Sequence, residues 1–201
     1  MEFQKKHRHS ITYTNAKGQI YVLYHGRTKT GKPTYYFSLK REGHVADSIP
    51  DGFEIYENPN TQVFLRRIPP KLITAEERQL VADGMRRYAS VDAYKIDVKG
   101  KTIVLYLADQ DRDAFDRIFC DYPTSPEEKA RIMTVLRQQL HYSPLLQFIL
   151  ADEQRRCFWP QRYCCRGSID DRIGIGLPDT LSNVVKTYVK HLGKESYFEL
   201  W

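Results

Sequence analysis

The chain has 201 residues, 41% of them hydrophobic and 12% aromatic, which is enough to bury one sizeable core or two small ones and excludes a disordered chain. Its net charge of +6 is unevenly placed: residues 1–45 carry nine Lys or Arg against Glu2 and Glu42, a net of +7, so the remainder sums to −1. The opening MEFQKKHRHS lacks the apolar core of a signal peptide, the longest apolar run, LLQFILA, is far short of the roughly 20 residues of a membrane span, and four cysteines that include adjacent Cys164 and Cys165 are not a disulfide scaffold; these features point to a reducing cytoplasm and away from membranes.

Residues 9–68 read as a small antiparallel meander, with strands near SITYTN, QIYVLYHG, TYYFSLK, FEIYEN and TQVFLRRI. NAKG, KTGK, IPDG and NPN supply the Gly, Asn, Asp and Pro that tight turns need, and NPN joins the last two strands as a hairpin. Within GRTKTGKPTYYFSLK, Gly26, Gly31 and Lys32 occupy the G-x-x-x-x-G-K spacing of a phosphate loop. The next position of that motif needs a hydroxyl for magnesium and then a helix; here Pro33 and a strand-forming TYYFS follow, so the stretch reads as a β-hairpin with a basic tip.

Pro69 and Pro70 stop the sheet and place a boundary between a basic sheet domain, 1–70, and a second domain, 71–201. Thr74 and Glu77 in TAEE have capping-box spacing, predicting a helix to about Tyr88. AYKIDV and KTIVLYLAD straddle Lys99-Gly100 as another hairpin with Tyr94, Ile96 and Val98 on one face, after which DRDAFDRIF suggests a short helix. Ser125, Pro126 and Glu128 open a helix with an apolar stripe of Ile132, Val135, Leu136 and Leu140, and the Ser-Pro start of SPLLQFILADEQRR predicts one more. CFWPQRYCCRGSIDDRIGIGLP reads as irregular. Leu181, Val184, Val185, Tyr188 and Leu192 then recur at helical spacing, ended by Gly193. The aromatic KESYFELW either packs back on the fold or serves as a docking peptide. The expected fold class is therefore α+β: an N-terminal antiparallel β-meander packed with a mixed, mainly helical C-terminal part.

Chemistry-bearing patterns are sparse. Asp109, Asp111 and Asp113 start like a calcium loop, but the positions that need Gly and Glu are Ala114 and Cys120. Cys157, Cys164 and Cys165 with His141 or His191 lack the paired knuckles of a zinc site, so no metal and no cofactor are expected. A thiol enzyme would use Cys164 or Cys165 with His191 as base and Asp170 or Asp171 to orient it, brought together by tertiary structure alone.

The basic segment has the more coherent mechanism. Four of the six histidines, His7, His9, His25 and His44, lie in it with the Lys and Arg excess, which suits an acidic partner. If Ile20, Val22, Tyr35, Phe37 and Leu39 face inward, then Tyr21, His25, Tyr36, Lys40, Phe64 and Arg66 face outward, offering rings to unpaired bases and cations to phosphates. The sequence thus reads as a non-enzymatic binding module for nucleic acid or an acidic protein surface, using Arg27, Lys29, Lys32, Tyr36, Lys40, Arg41 and Arg66. Protein docking through aromatic surface and the C-terminus is the alternative.

Overall fold

Alternating β-branched and aromatic residues between 12 and 67 pair as antiparallel strands in the computed structural model, which describes residues 10–109, 125–166 and 169–200. The chain forms two compact units, Met1–Ile68 and Pro69–Trp201. Strand accounts for 40% and helix for 24%, so the expectation of a mainly helical C-terminal part is overturned: the second unit is built on a six-stranded sheet.

In the first unit, β1 (Thr12–Thr14), β2 (Ile20–Arg27) and β3 (Pro33–Ser38) form a sheet in that order, and β4 (His44–Val45) joins it on β2. β1 and β4 share one edge of β2: on that edge the Leu23 N–H donates to the carbonyl of Ile11, just before β1, and the Leu23 carbonyl accepts from the N–H of Ala46, just after β4. A simple five-strand meander is therefore not what forms. β5 (Phe53–Glu57) and β6 (Val63–Arg67) make a separate hairpin across Asn58–Gln62. The two sheets are tied by side chains: Tyr13 Oη donates to Glu57 at 3.0 Å, which with burial holds the phenol above its usual range, and buried Asn15 Nδ2 donates to the Thr61 carbonyl at 2.8 Å.

The second unit opens with α1 (Ala75–Tyr88), where Thr74 accepts from Glu77 N–H and Glu77 accepts from Thr74 N–H, the reciprocal capping box. β7 (Tyr94–Lys99) and β8 (Thr102–Ala108) pair directly across a two-residue turn. α2 (Pro126–Gln139) is capped by Ser125, yet none of its described side chains is fully buried: Ile132 and Leu136 of the expected stripe are half-buried and Val135 is exposed, while Leu140, just past the helix, is fully buried against Val104, Tyr106 and Tyr142. The DRDAFDRIF stretch lies outside the described residues.

The next helix expected from the sequence is a strand, β9 (Tyr142–Asp152), and the stretch read as irregular is the hairpin β10 (Cys157–Arg166) and β11 (Ile169–Gly174). The sheet order is β11-β10-β9-β8-β7, with β12 (Asp179–Thr180) also on β10. β9 is hydrogen-bonded to a strand at each edge and carries apolar side chains on both faces, Leu146, Phe148 and Leu150 toward the main core and Ile149 on the opposite face, so it shows no clean period-2 alternation and shares its apolar pattern with a buried helix. Pro160 is tolerated in β10 because it falls between two partners. Its carbonyl accepts from Ile175, just past the Gln161–Gly174 pair where β11 stops and before the Phe158–Asp179 pair with β12, so its missing N–H breaks no ladder rung.

α3 (Leu181–Tyr188), continued by a 3-10 turn over Val189–His191, places Leu181, Val184, Val185, Val189 and Leu192 against Val81 and Met85 of α1 and Leu105, Phe148 and Phe158 of the sheet. Of the C-terminal aromatics, Tyr197 packs back: it is 3% exposed and donates to the Leu145 carbonyl at 2.6 Å, while buried Arg162 donates to the Leu200 and Phe198 carbonyls; the Phe198 ring is 69% exposed, and Trp201 lies outside the described residues. No described helix is long and apolar enough to cross a membrane.

Candidate nucleic-acid interface

β2 and β3 stay paired to Arg27 and Pro33, and the five residues between them close on themselves. Thr28 N–H donates to the Lys32 carbonyl at 2.8 Å, Gly31 N–H to the Thr28 carbonyl at 2.9 Å, and Lys32 N–H to Thr28 Oγ1 at 3.1 Å. Gly31 sits at φ +79°, a conformation that glycine adopts without a Cβ penalty. With the Gly31 and Lys32 amides turned onto Thr28, this backbone makes no cradle for a phosphate, and the G-x-x-x-x-G-K spacing turns a corner. Any affinity for anions rests on the side chains of Arg27, Lys29 and Lys32, which are exposed and form no ion pair with a described residue.

Lys40 and Arg41, also exposed, follow the far end of β3. Six strand residues span about 20 Å, so the cations form two groups at opposite ends of the hairpin. Arg66 is differently placed: its Nη2 lies 2.8 Å from Glu54 and its guanidinium 3.8 Å from the Tyr56 ring centre, so this charge is already answered.

Pairing also redistributes the rings. Val22 faces Ser38, Leu23 faces Phe37, Tyr24 faces Tyr36 and His25 faces Tyr35. Tyr36 therefore shares a face with Val22 and buried Tyr24, on which it stacks at 5.8 Å while staying 43% exposed; Tyr21 and His25 are on the opposite face with Tyr35 and Phe37. The assumed register was out by one residue on one strand, which exchanges faces for every side chain on it. Sequence reasoning missed a cluster: His25 is paired with His44 of β4, ring centres 5.7 Å apart, with Tyr35 at 6.4 Å. A strand of two residues carries no alternation to read.

The thiol arrangement does not assemble among the described side chains. Half-buried Cys164 makes no hydrogen bond to His191, whose Nδ1 instead lies 2.9 Å from Ser196 Oγ; Asp171 is paired with Cys164 across β10 and β11, and the side chains of Cys165 and Asp170 lie outside the description. No three His, Cys, Asp or Glu converge on a metal position among the described residues, and Asp109 is engaged with His141 at 2.5 Å. Asp111, Asp113, Ala114 and Cys120 lie outside the described residues.

Burial, and then the charges of Lys190 and Lys194, hold the His191 pKa below its ordinary value of about 6.5. The unfolded chain then takes up the proton more readily, so His191 costs nothing above about pH 6.5 and destabilises the fold as the pH falls from there through the depressed folded value. We expect the urea midpoint to drop between pH 7.5 and 5.5, and to drop less in His191→Asn, which keeps a hydrogen-bonding group for Ser196. An equal drop in both would show that other groups govern this range.

Compared with protein-family models, curated proteins and solved structures, the chain matches none of them.

Proposed function

We propose that the first unit binds a polyanion, nucleic acid foremost, through the tip of the β2–β3 hairpin. The observation that carries this reading is the trio Arg27, Lys29 and Lys32, exposed on a closed turn with no acid of a described residue to neutralise it. A two-stranded ribbon with a basic tip has the width to follow a duplex groove, and cations at both ends of β3 suit a backbone that carries repeated charge. Lys40 and Arg41 extend the contact, Tyr36 offers a half-open ring at the edge, and Arg66 contributes mainly to the β5–β6 hairpin. Packing of Tyr197 into the core leaves less of the C-terminus for a docking peptide.

The test is anisotropy of labelled duplex and single-stranded oligonucleotides across a salt series, comparing the chain with Arg27, Lys29 and Lys32 changed together to Ala. We expect binding that weakens with salt and a slope of log K against log salt that shrinks by about 3 for duplex, or about 2 for single strands, in the triple variant. A slope unchanged by the three substitutions would remove the tip from the interface.

A further inference from the structure

One face of the second unit's sheet is covered by α1 and α3 over Leu105, Phe148 and Phe158. The other face is different in kind. Alternation along β10 puts Trp159, Gln161 and Tyr163 on it, with Ile149 and Gln147 beside them on β9 and Gly174 and Arg172 on β11. Trp159 lies flat against Gly174: a Cβ added there would fall 2.9 Å from a carbon of the indole. Its Nε1 donates to the Gly176 carbonyl at 3.0 Å, so the ring is fixed at its edge as well as beneath, and it remains 40% exposed. Arg172 is held in place by Tyr163, with its guanidinium 4.9 Å from the ring centre and its Nη2 donating to Tyr163 Oη at 3.0 Å. On the other side, the row Lys99, Thr102, Ile149, Trp159 brings Lys99 onto the same face, but its ammonium donates to Tyr106 Oη at 2.7 Å and lies 3.6 Å from Asp97, so this charge, like that of Arg66, is already answered.

We propose that this face of β10 and β11 is a platform for unpaired nucleic-acid bases: one base stacks on Trp159, and a neighbouring phosphate meets Arg172. Packing alone accounts for an indole on a glycine, but it does not require a ring with its polar edge already satisfied, 40% of its surface exposed, and the cation of Arg172 on the same face of the neighbouring strand. Such a ring is pre-organised, so stacking orders little that was free before. Charge decides the chemical class: a neutral sugar would also stack on indole, but it makes no use of the Arg172 guanidinium. This platform lies in the other unit from the hairpin and shares no residue with it, so the two readings stand or fall separately.

The test uses the full chain and labelled dT12 and U12, each measured over a salt series with Trp159→Ala, Trp159→Phe, Arg172→Ala and the hairpin triple variant, and with circular dichroism to establish that each variant is folded. Trp159→Ala should weaken binding about 5- to 100-fold, Trp159→Phe much less because a stackable ring remains, and Arg172→Ala should shrink the salt slope by about 0.7. Affinity that is lost in the hairpin variant but unchanged by Trp159→Ala, Trp159→Phe and Arg172→Ala overturns the platform and leaves the hairpin as the contact. Loss with Trp159→Ala but not with the hairpin variant supports the platform and removes the hairpin reading. No binding of either oligomer by the unaltered chain, or displacement by neutral maltohexaose that is insensitive to Arg172→Ala, overturns the platform.

Discussion

Changing Gly84 to alanine is expected to destabilise the second unit by about 1–2 kcal/mol, against the usual rule that this substitution inside a helix gains about 1 kcal/mol. The reason is the closeness of α1 and α3. A Cβ on Gly84 would lie 2.1 Å from Val185 Cγ1, and valine, branched at Cβ, has little rotamer freedom with which to yield inside a helix. Overpacking of this kind costs about 1–3 kcal/mol and here has to exceed the helical gain. Gly84→Val should cost more than 3 kcal/mol by the same argument, since it adds two further methyl groups to the contact. The partner substitution provides the control. Val185→Ala alone should cost about 2 kcal/mol, because Val185 is 1% exposed in the main core, yet in combination with Gly84→Ala the total should be at least about 1 kcal/mol smaller than the sum. Urea unfolding of the parent and the four variants measures all of this, and a Gly84→Ala protein more stable than the parent would show that the helices are farther apart.

Gly84 also marks where the sequence was and was not legible. Local signals survived: TAEE made its capping box, Ser125 and Pro126 started a helix, the Asn-rich turn at 58–62 joined β5 to β6, and the 181–192 periodicity became α3 and the turn after it. Each of these is decided within a few residues, by side chains meeting nearby backbone. The glycine in the middle of α1 looked only like a weak helix former, because its function is to admit a residue a hundred positions later.

The largest error, the helix expected at 143–156, came from a local signal that tertiary context overrode. Ser143 and Pro144 imitate the start at Ser125 and Pro126, and LLQFILA lacks alternation because Leu146 and Phe148 face the main core while Gln147 is buried on the other face. The charged tail that completed the apparent helix is a turn: Asp152 accepts from the N–H groups of Gln154 and Arg155, and Arg156 sits at φ +50°. At the candidate interface the basic tip was legible because its residues are contiguous. Which rings share a face was not, since that depends on a pairing register no single strand reveals, and Arg66 looked like an available cation because Glu54 is its neighbour only across β5 and β6.

Arg156 leads to the second large expected effect. Glu77 reads from sequence as a capping residue, but its carboxylate also accepts from Arg156 Nε at 2.9 Å and Nη2 at 2.5 Å, and the same Nη2 donates to the Leu72 carbonyl at 3.0 Å. These bonds raise the Arg156 pKa above its ordinary value and join the start of α1 to the β9–β10 turn, 79 residues away. Removing the carboxylate takes away a cap worth about 0.5–2 kcal/mol and charge-assisted hydrogen bonds worth about 1.5–3 kcal/mol, the latter reduced because the Arg156 side chain is partly in water. Glu77→Ala should therefore cost about 2–3 kcal/mol, and Glu77→Gln, which keeps an acceptor for Thr74, about 1 kcal/mol. Arg156 offers a further separation, because its left-handed backbone itself costs about 1 kcal/mol in any residue with a Cβ. Arg156→Ala loses the side chain and keeps that strain, whereas Arg156→Gly loses the side chain and relieves it, so the glycine variant should be the more stable by about 1 kcal/mol. If Glu77→Ala and Arg156→Ala add fully when combined, with no coupling between them, the two side chains do not act as the pair the geometry describes, and the turn is held by its backbone alone.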